Sequence, residues 1–161
     1  MTISEGSTLP DAVLLQFGAE GPEPVSMAAK LAGRRVVIFG LPGAFTSTCT
    51  SAHVPSFIRT AAKLAAKGVD EIICVSVNDP AVMNAWGEST GANAAGITML
   101  GDADASFTLA IGMEFSAAAD GFFNRSKRYA LFAEDGVVKV FHPEVNRGCE
   151  ISGGEAMLAA I

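Results

Sequence analysis

The amino-acid pattern predicts an α/β protein, with a central mixed β-sheet flanked by helices on both faces. Short β-branched apolar runs at Arg35–Gly40, Ile72–Val77 and Ile97–Leu100 alternate with helical patterns, as in successive parallel βα units. Two further runs, Arg128–Ala133 and Val137–Phe141, flank Glu134-Asp135-Gly136 and read as an antiparallel hairpin. Parallel units followed by antiparallel pairing require a mixed sheet.

The elements can be justified in order. The opening, through Gly21-Pro22-Glu23-Pro24, is rich in turn formers and reads as loop with short extended pieces. Ser26 to Leu31 reads as a brief helical turn, and Arg35–Gly40 as a strand buried on both faces. A turn-rich loop, Leu41 to Thr48, leads into a helix expected over Ser47–Lys67. Its apolar residues Val54, Phe57, Ile58, Ala61, Leu64 and Ala65 recur at helical spacing, and Gly68 stands where a left-handed cap is needed. Pro55 lacks the N–H for a bond back to residue 51, so the first turn should be irregular or kinked. After the second strand, Asp79 caps a new helix with Pro80 at its first position. A helical stretch around Ala105–Ile111 and a C-terminal helix over Gly154–Ile161 complete the chain as one domain, residues 1–161.

Composition excludes several classes. Of 161 residues, 50% are hydrophobic and 17% charged, too apolar for a disordered chain. Seventeen acids against eleven bases, with no basic stripe, argue against a nucleic-acid partner. No apolar run approaches the ~20 residues that span a bilayer, and no secretory signal is visible, so neither membrane nor export is expected. Three widely spaced cysteines, at 49, 74 and 149, read as free thiols in a reducing compartment, the cytoplasm. Two histidines and three scattered cysteines show no metal-ligand spacing, and no phosphate-binding glycine loop points to a nucleotide.

Cys49 is the residue that carries chemistry. It follows a Gly/Pro/Thr-rich turn at the start of a helix, where free N–H groups and the positive end of the dipole favour an anion. A thiol there tends toward the reactive thiolate. Thr46, Ser47, Thr48, Thr50 and Ser51 surround it with hydroxyls, which suits a polar site better than an apolar core. His53 lies four residues on. A Cys–His pair can serve acyl transfer, and a histidine at that spacing is equally a packing residue. Cys74, inside an apolar strand, reads as a buried structural thiol, and Cys149, between Gly148 and Glu150, as an exposed loop thiol. A lone Arg128 ahead of a strand reads by itself as a solvated edge charge.

Pro42, Thr46 and Cys49 form Pro-x-x-x-Thr-x-x-Cys, and here the sequence resembles the peroxiredoxins. The stretch Phe39–Thr46 before the cysteine and His53-Val54-Pro55-Ser56-Phe57 after it look like the type II, or peroxiredoxin-5, subgroup. So do Val75–Pro80 with Trp86 beyond it, and Asn124–Tyr129 followed by the Asp135-Gly136 hairpin. The resemblance runs from about residue 7 to the end. It implies a thioredoxin-like fold and a thiol peroxidase that reduces hydrogen peroxide and alkyl hydroperoxides. It makes Cys49 the nucleophile, Thr46 a binder of sulfur and peroxide, Pro42 a shield, and Arg128 the cation beside the thiolate. Arg125 is a weaker candidate for the arginine's task, and His53 a supporting residue. Some subgroup members place a second, resolving cysteine at the position of Cys74. Others place it about two positions beyond Cys149. With neither, an external thiol would reduce the sulfenic acid. Glutaredoxin with glutathione, or thioredoxin, would supply electrons without a bound cofactor, and a homodimer is expected.

Two other readings compete. A protein-disulfide oxidoreductase of the same fold lacks its Cys-x-x-Cys, since Thr46 replaces one thiol. A redox sensor or binding module would differ from a peroxidase by slow oxidation of Cys49.

Overall fold

A computed structural model describes residues 1–161, and its sheet has both parallel and antiparallel strands. The strands are β1 (Val13–Gly18), β2 (Gly21–Ser26), β3 (Arg35–Gly40), β4 (Glu71–Ser76), β5 (Thr98–Gly101), β6 (Glu114–Ala117), β7 (Phe122–Ser126), β8 (Tyr129–Glu134) and β9 (Val137–Pro143). Seven of them form one sheet in the order β2-β1-β5-β4-β3-β8-β9, while β6 and β7 pair separately. β3, β4 and β5 run parallel; the β8–β9 hairpin and β1 close the two sides antiparallel.

The central strands are apolar on both faces along their middle, as in Val36–Phe39 and Ile72–Val75, because both faces are covered. Period-two alternation divides them. Val37, Phe39 and Cys74 face a core shared with Phe57, Leu64, Met83, Trp86 and Met157. Val36, Ile38, Ile73 and Val75 face a second core with Leu14, Met27, Leu100, Phe107 and Leu131. The helices α2 (Val54–Ala66), α3 (Pro80–Thr90) and α5 (Gly154–Ala160) cover the first face, and α1 (Met27–Leu31) and α4 (Ser106–Ala110) the second.

Local signals acted as expected at several boundaries. The Ser26 hydroxyl accepts from the Ala29 N–H at the start of α1, and Asp79 Oδ1 from the Val82 N–H at the start of α3. Gly68, at φ +91°, ends α2; its N–H reaches Ala65 O and the Val69 N–H reaches Leu64 O, a Schellman cap.

Two segments differ from expectation. The opening loop is an antiparallel hairpin, β1 with β2, in register from Val13↔Ser26 to Gly18↔Gly21. Pro22 and Pro24 sit on the outermost strand, where a missing N–H breaks no ladder bond. β6 and β7 carry no alternation strong enough to announce them. The helix begins at Ser47 as expected, and its expected irregularity is a π-helical turn, Cys49–His53, before α2 starts at Val54. Pro55 explains the register change: it has no N–H to give residue 51, and the Val54 N–H bonds Cys49 O one residue further back.

Candidate active site

The site lies at the carboxyl end of β3, where the chain leaves the sheet through residues 41–48. Three side-chain bonds hold this loop. Asn78 Oδ1 accepts from the Ala44 N–H at 3.0 Å, Arg125 Nη1 donates to Pro42 O at 3.0 Å, and the Thr46 hydroxyl donates to Gly43 O at 2.7 Å. The indole N–H of buried Trp86 donates to Thr50 Oγ1 at 3.0 Å, tying α3 to the π-helical turn.

Cys49 opens that turn, with none of its surface exposed. Gly40 pairs with Tyr129 across β3 and β8, so Arg128, one residue earlier, stands beside the end of β3. A Cβ at Gly40 would strike the Tyr129 ring; only glycine lets the two strands meet here. Arg128 Nη2 donates to Cys49 Sγ at 3.3 Å, and Nη1 meets His53 Nδ1 at 3.0 Å. His53 Nε2 lies 2.9 Å from the Ser152 carbonyl.

These contacts fix the imidazole. A guanidinium only donates and a carbonyl only accepts, so Nδ1 accepts and Nε2–H donates, the neutral ring. Burial, reinforced by the Arg128 charge, lowers the His53 pKa to about 3 against the pull of the Ser152 carbonyl. Both ring nitrogens are engaged away from sulfur, so His53 orients Arg128 and does not act as a base on Cys49. The Cys–His acyl-transfer option is thereby removed.

Of the expected residues, Cys49, His53 and Arg128 form one connected chain, and Pro42, Thr46 and Arg128 line a cavity of about 580 Å³ beside it. Phe115, Ala117 and Phe122 of β6 and β7 form its apolar wall, with Lys127, Glu144 and Arg147 also lining it. Arg125 does not approach the sulfur: it holds Pro42 O and lies 5.2 Å over the Phe122 ring. Cys74 is fully buried in β4, and burial, with Cys49 nearby, pushes its thiol well above the usual range. Cys149 lies in a loop as expected, but it is half-buried rather than exposed. Its thiol is raised by that burial, partly offset by its contact with the Ser152 hydroxyl at 3.8 Å. All three cysteines are free. No three His, Cys, Asp or Glu side chains converge in a way that could hold a metal ion.

Sequence reasoning did not find Ser152, Glu144 or the β6–β7 wall. Their sequence neighbourhood carries no motif; only the return of the chain to α2 and β8 brings them to the site.

Comparisons with known proteins agree with this architecture. The family model described as Redoxin matches residues 4–158. Peroxiredoxin-2E-2, chloroplastic, of Oryza sativa subsp. japonica is 48% identical, over 99% of this chain and 73% of that protein. Peroxiredoxin-2C of the same organism is 44% identical, over 99% of this chain and 98% of its own. Among solved structures, reduced Prx3 in complex with H2O2 from Vibrio vulnificus superposes with a TM-score of 0.93 at 47% identity, covering 99% of each chain. Peroxiredoxin 5 from Alvinella pompejana gives 0.84 at 29% identity, covering 98% of this chain and 97% of that one. The chain therefore belongs to the Redoxin family and, within it, to the type II peroxiredoxins, thioredoxin-fold thiol peroxidases that act on peroxides with thiol reductants.

Proposed function

We propose that Cys49 is the thiol that reacts with peroxide, with Arg128, Thr46 and Pro42 completing the catalytic set and His53 holding Arg128. The observation that carries this reading is the 3.3 Å bond from Arg128 Nη2 to Cys49 Sγ. A guanidinium there stabilises the thiolate and offers donors to the departing oxygen. The thiolate attacks one peroxide oxygen; an S–O bond forms, the O–O bond breaks, and the alkoxide or hydroxide leaves and takes a proton from water. Cys49 becomes a sulfenic acid. Thr46 has given its only hydroxyl hydrogen to Gly43 O, so its lone pairs are free to accept from the peroxide O–H. Pro42 shields the sulfur side of the cavity.

The substrates are hydrogen peroxide and organic hydroperoxides. The Vibrio vulnificus relative crystallised with H2O2 supports the first, and the apolar wall of Phe115, Ala117 and Phe122 supports the second. A first external thiol converts the sulfenic acid to a mixed disulfide and water, and a second thiol releases Cys49. Glutaredoxin with glutathione, or thioredoxin, supplies these thiols, and no bound cofactor is required. Cys149, half-buried in its loop, is a better resolving candidate than Cys74, which is sealed in β4.

Exposed Phe45 on the active-site loop and Val145 at the cavity support a homodimer that covers this face. Three free thiols support a reducing compartment, the cytoplasm, although relatives include chloroplastic and mitochondrial forms. No helix is long and apolar enough to cross a membrane.

The test is peroxide consumption with glutathione plus glutaredoxin, or with a thioredoxin system, in wild type, Cys49→Ser, Cys74→Ser and Cys149→Ser. Turnover should vanish in Cys49→Ser alone with glutaredoxin, and loss in Cys149→Ser with thioredoxin would identify the resolving thiol. Undiminished turnover in Cys49→Ser would sink the assignment.

A further inference from the structure

Glu144 follows β9, and its backbone N–H donates to Arg128 O at 2.9 Å, extending the β8–β9 ladder by one rung. The two side chains line the same cavity, yet they form no ion pair. The carboxylate is engaged elsewhere. Its Oε2 accepts from the N–H groups of Glu150, Ile151 and Ser152 at 2.9, 2.9 and 2.7 Å, and from the Ser152 hydroxyl at 2.6 Å. Burial opposes its charge, but the Ser152 hydroxyl and the three amides outweigh burial and hold the carboxyl below its usual range.

The clamped segment is the one that supports the site. Ser152 presents its carbonyl to His53 Nε2, and His53 Nδ1 receives Arg128 Nη1. Residues 150–152 have no regular hydrogen-bonded structure of their own and lead directly into α5. Without the carboxylate, three amides and a hydroxyl lose their partner together, and the Ser152 carbonyl loses its fixed position.

We propose that Glu144 is a positioning residue for the peroxidase reaction: by clamping residues 150–152 it holds the Ser152 carbonyl on His53, and through His53 it holds Arg128 on Cys49. The proposal rests on the reading of Cys49 and Arg128 as the reacting pair.

The test measures oxidation of the reduced full-length protein by hydrogen peroxide in a stopped-flow instrument, followed by the fluorescence of Trp86, the single tryptophan. It is paired with the pH profile of Cys49 alkylation, read by mass spectrometry of its peptide. Glu144→Ala should oxidise at least tenfold more slowly, about 1.4 kcal/mol in barrier, with its alkylation profile moved to higher pH. Glu144→Gln, which can return an acceptor oxygen to the same four donors, should recover to within about threefold of wild type. A Glu144→Ala protein with wild-type rate and profile overturns the proposal, whatever happens to its melting temperature; so does a Gln variant as impaired as Ala. Should Glu144→Ala fail to fold, Glu144→Asp, one methylene short of the amides, replaces it with the same expected result. Cys49→Ser is run alongside. If it still consumes peroxide, the underlying reading fails; if it is inactive, the Glu144 variants decide the proposal alone.

Discussion

Arg128 donates from Nη1 to Nδ1 of His53 at 3.0 Å, and this one bond decides the charge of the imidazole. An arginine cannot accept, so the ring nitrogen facing it must keep its lone pair. The other nitrogen then carries the proton and spends it on the Ser152 carbonyl. A neutral histidine thus aims a cation at the Cys49 sulfur, and each partner depends on the next.

The buried neutral ring makes the protein sensitive to acid. His53 titrates at about 3 in the fold against 6.5 for an unperturbed ring. Below 6.5 the unfolded chain takes up a proton that the folded chain refuses, so stability falls as pH drops from 6.5 toward about 3. The limiting slope for one proton is about 1.4 kcal/mol per pH unit. Urea unfolding of wild type across that window should show this component, and His53→Gln, which cannot titrate, should lack it. Parallel curves for the two proteins would contradict the assignment.

Thr50 gives the buried indole of Trp86 its only hydrogen-bond acceptor. Thr50→Val keeps the shape and leaves the indole N–H unpaired, at a cost of about 1–3 kcal/mol. Denaturant melts measure this, and the anchoring of the π-helical turn predicts slower peroxide oxidation in the same variant.

Gly154 packs α5 against α2. A Cβ there would strike the Ser56 carbonyl and the Thr60 hydroxyl, whereas a Cβ at Gly153 would meet only ordinary contacts at 3.5 Å or more. Gly154→Ala should cost about 1–3 kcal/mol through overpacking. Gly153→Ala should cost less, about 0.5–1 kcal/mol, since its φ of −75° suits any residue and only alanine's poorer N-cap preference counts against it. Comparable losses in both variants would mean that the α2–α5 contact is not what the glycine protects.

The frame of the fold was legible because buried parallel strands and capped helices have local signatures. Val36 to Phe39, Asp79-Pro80 and Gly68 each announced their structure in a few residues. Pro55 even announced the irregular turn, though not its π form. The β1–β2 hairpin was hidden by Pro22 and Pro24, whose effect depends on whether a strand lies at an edge or inside a sheet. The site divided in the same way. Cys49 and its hydroxyl neighbours stood out from local chemistry, and the pattern with Pro42 and Thr46 marked the family. Arg128 emerged only through resemblance, because its approach to sulfur is made by strand pairing. Ser152 and Glu144 act through a neutral histidine, a relation that no spacing in the sequence encodes.

The pairing of Arg128 with Cys49 carries the functional reading, and the rate of Cys49 oxidation under stoichiometric hydrogen peroxide tests it. Sulfenic acid trapped at Cys49, quantified by mass spectrometry in wild type and Arg128→Ala, gives that rate. Oxidation should fall on Cys49 before Cys74 or Cys149, and Arg128→Ala should slow it by well over tenfold, about 1.4 kcal/mol or more in barrier. Equal rates in the two proteins, or first oxidation at another cysteine, would contradict it.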